Sequence, residues 1–200
     1  MQQVANLLPL LILITLIIAS LWGGWNWRTH HERQHAAEKR NWRYQPGFVA
    51  AVLGRPFRVA GSTPSGAIWE MEPRKNNGRF TFHWHSKEAH LPYGKLIILP
   101  RDMAATTSLP EMHAHEVGSR HWQARFVTFV THDQLAENFI TTTLENDLKS
   151  WPDWPQPGAL LKISITSTDL TIIAHQQSGW LGRDRLAALG DALTTTLAAK

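Results

Sequence analysis

The sequence predicts an α+β protein: an N-terminal transmembrane helix followed by an antiparallel-sheet domain with flanking helices. Three observations predict it. Val4 to Trp22 is an uncharged, largely aliphatic run. The middle of the chain alternates polar and apolar residues with period two between turn-forming clusters, most clearly from Arg79 to His85. The end of the chain spaces its leucines at helical intervals, and no repeating βαβ pattern occurs. The expected organisation is an anchor with aromatic belt over 1–27, a juxtamembrane stalk with a short helix over 28–54, and an α+β soluble domain over 55–200.

Val4 to Trp22 matches a bilayer. At about 1.5 Å per residue, a helix of this length covers most of the ~30 Å hydrocarbon core. Asn6, Pro9, Thr15 and Ser20 interrupt the run without adding charge. Trp22, Trp25 and Trp27 follow, and amphipathic indoles suit the headgroup layer. With Arg28 they form the expected membrane interface. The leader Met-Gln-Gln lacks a basic residue and no Ala-x-Ala site follows the run, so the segment reads as an uncleaved anchor. Arg28, Arg33, Lys39, Arg40 and Arg43 all lie on its C-terminal side. The positive-inside rule therefore puts the domain in the cytoplasm and the N-terminus outside, as expected for a single-pass protein of a bacterial inner membrane.

Arg28 to Arg43 has no Gly or Pro and reads as a stalk that continues the anchor helix or as a short helix along the membrane surface, with Gly23 and Gly24 as a place to bend between the two. Pro46 opens a short helix expected over Phe48 to Leu53. Strands are expected at Phe57 to Ala60, Ala67 to Met71, Arg79 to His85 and Leu96 to Leu99. Turns are expected at Gly61 to Gly66 and at Arg74 to Gly78, the second a hairpin loop with an Asn-Gly pair, making a meander of about four strands. Arg101 to Arg120 lacks a period and reads as a loop. Arg125 to Val130 is a strand, and one helix follows, with Asp133 as cap and Leu135, Phe139, Leu144 and Leu148 on its apolar face. Trp151 to Gly158 breaks that helix. Two strands follow, Leu160 to Thr166 and Leu170 to Ala174, and a helix closes the chain over Asp184 to Leu197.

Apolar residues make up 43% of the 200, with ten Trp, which argues for a packed core. With no Cys, disulfides, thiolate metal sites and cysteine nucleophiles are excluded. The formal charge is +4, and much of the excess follows the anchor, where it reads as a topology signal and not a nucleic-acid patch. No phosphate-binding glycine loop occurs, and no Gly-x-Ser-x-Gly elbow surrounds Ser62 or Ser65. No catalytic residue is assigned.

The eleven histidines are the most distinctive polar feature. His83 and His85 share one face of a strand, and His113 and His115 repeat the spacing. Four imidazoles suit Zn²⁺ or another divalent ion. The simpler reading is solvent-facing histidine, and no cofactor is expected on it. Trp151, Trp154 and Trp180 sit in or near Pro- and Gly-rich loops, where they could present an apolar surface to a protein partner or cover the core.

Gly61-Ser62-Thr63-Pro64-Ser65-Gly66 with Trp69, Pro92-Tyr93-Gly94 before the Leu96 strand, Arg125-Phe126-Val127 with Asp133 and Ala136, and Ala188-Leu189-Gly190 together resemble bacterial single-pass membrane proteins that carry a domain of unknown function. The resemblance implies an anchor plus an α+β cytoplasmic domain and supplies no catalytic residue. The leading expectation is a domain held at the bilayer that binds or scaffolds a protein partner, or itself, without catalysis. The alternative is a tethered metal-dependent enzyme or metal sensor using His83, His85, His113 and His115.

Overall fold

A computed structural model describes residues 2–46, 57–76, 79–177 and 179–198. The chain divides into two compact units, Met1–Val59 and Ala60–Lys200.

The first unit is dominated by α1 (Gln2–Glu38), a helix of 37 residues. The apolar segment and the polar stalk are thus one helix, running unbroken through Gly23 and Gly24. From Leu11 to Trp25 its side chains are exposed. Thr15 returns its hydroxyl to the Leu11 carbonyl at 2.8 Å, which satisfies a polar group within the helix. Asn41 ends the stalk at φ 57°. The Trp42 N–H donates to the Ala37 carbonyl and the Asn41 N–H to that of Glu38, a Schellman closure with Asn in the left-handed position. β1 (Arg43–Gln45) follows. Tyr44 meets His30 Nδ1 through its hydroxyl at 3.0 Å, so the stalk and the strand are tied together. The helix expected at Phe48 to Leu53 lies outside the described residues.

The second unit is α+β. Its strands are β2 (Arg58–Ser62), which enters it across the unit boundary, β3 (Ile68–Asn76), β4 (Arg79–Ser86), β5 (Leu96–Pro100), β6 (His113–His115), β7 (Phe126–Val130), β8 (Leu160–Ile165) and β9 (Leu170–His175). Its helices are α2 (Arg101–Ala104), α3 (Arg120–Arg125), α4 (Asp133–Phe139), α5 (Thr142–Lys149) and α6 (Leu181–Ala198). From β3 the sheet runs β3-β4-β9-β8-β5-β7-β6, and each of these pairings is antiparallel. The meander expectation is corrected: β9 and β8 lie between β4 and β5. Strand β3 runs on to Asn76, so Arg74 to Asn76, expected in the hairpin loop, pair with Thr81, Phe80 and Arg79 instead, and Asn77-Gly78 lies outside the described residues.

One sheet face carries the larger part of the core, and Ile97 and Leu99 are buried on the other. Register puts Met71, Trp84, Ile172, Ile163, Ile98 and Thr128 on the first, all buried. Helix α6 lies against this face through Gly190, where a Cβ would fall 2.4 Å from the Trp84 indole. Leu186, Leu189 and Leu193 bury the rest of its stripe.

Two expectations are corrected near the far edge. The expected loop from Arg101 to Arg120 contains α2 and the strand β6, and Ser119 caps α3 by accepting from the Trp122 N–H at 3.2 Å. The single helix expected after β7 is two. Thr141 opens α5 by accepting from the Leu144 N–H at 3.3 Å, and the β-branched Thr141-Thr142-Thr143 run favours a break there. Arg125 then binds the carbonyls of Leu148 and Trp151 at 3.1 and 2.8 Å and pairs with Asp153 at 2.7 Å, holding the Trp/Pro loop against the end of α5.

Candidate functional site

The two His pairs do not meet. Register from β4 to β6 puts His83 on the same face as Ile173, Lys162, Ser164, Ile97, Phe129 and Ala114. His113 and His115 therefore belong to the opposite, helix-bearing face. The strands that carry the pairs are also five spacings apart, roughly 24 Å. A four-histidine centre does not form.

The first pair sits among strand neighbours. His83 Nε2 lies 3.1 Å from Thr81 Oγ1, at one side of a groove of about 270 Å³ that Leu99, Met103, Lys162 and Ile173 also line. Burial pushes its pKa below the ordinary value, the Arg74 guanidinium adds to the effect, and Glu72 opposes it. Burial likewise lowers Lys162, with help from Lys95 and against Asp169. His85 Nε2 lies 3.4 Å from Asp169.

The second pair meets carboxylates. Asp133 opens α4, where the connection from β7 brings it over β6. His113 Nε2 lies 2.6 Å from Asp133 Oδ1, and His115 Nδ1 lies 3.1 Å from the same oxygen. The other nitrogen of His115, Nε2, is 3.9 Å from Glu137 Oε1. The hydrogen bond to His113 holds the Asp133 carboxyl below its usual range; slight desolvation opposes this, and the His115, His113 and His132 charges assist. His115 is half-buried, while His113 and Asp133 are exposed. Beside them Tyr93, Thr131, His132 and Gln134 line an open depression of about 440 Å³. Gly94 secures its rim: at φ 77° its Cα approaches so closely that a Cβ would fall 2.7 Å from Leu135 and Thr131.

Asp133 was expected to cap its helix. Instead His132 is the N-cap residue and makes no side-chain cap bond, and the Asp133 carboxylate is taken by histidine. Glu137 follows four residues later, on the same helix face. Two carboxylates at helical spacing, beyond two histidines at strand spacing, are the sequence signal for this cluster.

The tryptophans separate. Trp151 is buried and belongs to the core, which is the second of the two expectations for this segment. Trp154 is half-buried and stacks on His175 with centroids 4.8 Å apart. It lines a cleft of about 260 Å³ with Arg101, Asp102, Arg125 and Asp153. Trp180 is half-buried under the Arg183 guanidinium. In the first unit Trp22, Trp25 and Trp27 are exposed, as is Arg28, which pairs with Glu32 at 3.1 Å. Among the described residues one helical span, Leu11–Glu38, is long and apolar enough to cross a membrane, a test that a signal sequence also passes.

No family model and no curated protein matches the chain. Among solved structures it is similar to the crystal structure of the mycobacterial trehalose monomycolate transport factor A, TtfA. The TM-score is 0.52 at 11% identity, over 84% of this chain and 95% of that one. At that identity the likeness concerns the fold alone.

Proposed function

We propose that the chain is a single-pass membrane-anchored accessory protein, with α1 in a bacterial inner membrane and the α+β unit at the cytoplasmic face, where it binds a protein partner without chemistry of its own. The observation that carries the reading is α1. Its aliphatic segment leaves Leu11, Leu16, Ile18 and Leu21 more than half exposed, and about 25 cal/mol per Å² of apolar surface favours lipid over water. The basic cluster on its C-terminal side supports the orientation. The half-exposed Trp154, set in a cleft with charged walls, supports a partner surface, since indoles anchor protein interfaces. A fold shared with a protein named as a transport factor is consistent with an accessory role.

The test is carbonate extraction of membranes followed by crosslinking and recovery of the full chain. The expected result is retention in the membrane pellet and one stoichiometric partner, or a second copy, that Trp154→Ala releases. A mature protein free in solution and starting near residue 23 or later would overturn the tether. Recovery of the chain alone would overturn the partner.

A further inference from the structure

We infer that His113, His115 and Asp133 form a binding site for one first-row divalent cation of the zinc class, joining the edge strand β6 to helix α4. The donor atoms of these three side chains all lie within 4.8 Å of one another. Zinc bonds of about 2.0–2.1 Å need donors roughly 3.3 Å apart in a tetrahedron. The Asp133 oxygen is already 2.6 and 3.1 Å from the two imidazole nitrogens, so the spacing that a metal needs lies less than about 1 Å from the one observed. Strand geometry contributes the rest. Residues two apart on β6 project to one side, and Asp133 is held opposite by the first turn of α4.

Glu137 is an independent indication. Metal-bound histidine commonly gives its second nitrogen to a carboxylate, which sets the tautomer and strengthens the ligand. His115 is placed for this arrangement, with Nδ1 3.1 Å from Asp133 and Nε2 3.9 Å from Glu137, a separation that a small turn of the glutamate side chain closes to a hydrogen bond. The donor set selects the ion. Two imidazoles and one carboxylate suit zinc and its neighbours, whereas Mg²⁺ and Ca²⁺ favour oxygen. Three protein ligands leave one position open, and it adjoins the depression beside Tyr93 and His132, where water or an anion can reach the ion. His83 and His85 contribute nothing, being on the other face.

The test uses the full chain in detergent, freed of any affinity tag and of metal by chelation. It is titrated with Zn²⁺ by calorimetry and with Co²⁺ by visible absorption. The expected result is one equivalent of Zn²⁺, undisturbed by excess Mg²⁺, and Co²⁺ bands of a four- or five-coordinate site. His113→Gln, His115→Gln and Asp133→Asn each weaken Zn²⁺ by about tenfold or more, Glu137→Gln weakens it less, and His83→Gln leaves it unchanged. His113 is exposed, so its variant stays folded even if Asp133→Asn does not. Failure to saturate with Zn²⁺, or equal affinity in the His113→Gln/His115→Gln double variant, overturns the site. This inference does not rest on the membrane tether or on a partner.

Discussion

Strand β4 contains His83-Trp84-His85 and strand β6 contains His113-Ala114-His115, the same pattern around a different central residue. In β4 the central indole is buried in the core, so alternation sends both imidazoles to the other face. In β6 the central residue is a small exposed alanine, and the imidazoles take the helix-bearing side at the sheet edge. There they meet the carboxylates of α4, while the first pair meets Thr81 and Asp169. A His-x-His pattern thus specifies a shared face and nothing about what that face touches. The residue between the histidines chooses the side, and the next element in space supplies the chemistry.

The largest way to break the comparison is to remove the central residue. Trp84→Ala should cost about 3–5 kcal/mol in denaturant unfolding, because a wholly buried indole leaves a cavity under α6. Ala114→Ser, at the equivalent position of β6, should change stability by no more than about 0.5 kcal/mol. Equal losses would mean that β6 is as deeply anchored as β4.

Next in size is the helix that holds Trp84 down. Gly190→Ala places a Cβ 2.4 Å from the indole, an overpacking worth about 1–3 kcal/mol, against a helix-propensity gain of about 1 kcal/mol. Thermal unfolding should show a net loss. A stabilised variant would show that the indole can yield.

The smallest effects are in pH, and they sharpen the contrast in two separate windows, measured with chelator present. His83 is held below its ordinary 6.5, so as pH falls below that value the unfolded chain takes up a proton that folded His83 refuses. Stability then declines until the folded group also protonates, and above the window His83 contributes nothing. His83→Gln should flatten that decline, and an NMR titration should place the ring below 6.5. Asp133 is held below its ordinary 3.8, so its stabilisation is present above that value and lost as pH falls through the lower folded one. Asp133→Asn should remove the second decline and leave the first.

Much of the fold was legible. Strands β8 and β9 fall where Leu160 to Thr166 and Leu170 to Ala174 alternate, and α6 where Leu186, Leu189 and Leu193 recur. These are local periodicities, set by the backbone geometry of each element. Strand β6 was not legible, because two exposed residues and one half-buried one are too short a run to show a periodicity, and their pairing partner comes later in the chain. The break at Thr141 was hidden because Leu135, Phe139, Leu144 and Leu148 keep a helical rhythm across it.

The site was half legible. The spacing of His113 and His115 marks the second pair, but the sequence neighbours of Asp133 favour a helix cap and hide its place beside them. Composition and short-range spacing suffice for an apolar helix long enough to cross a bilayer, for the α+β class and for the exclusion of thiol chemistry. Long-range packing is needed to separate β4 from β5 by β9 and β8, to set the two histidine pairs on opposite faces and to turn Asp133 toward β6. Those outcomes depend on which distant segments become neighbours, a choice made by burying one continuous sheet face and not written in any single stretch of residues.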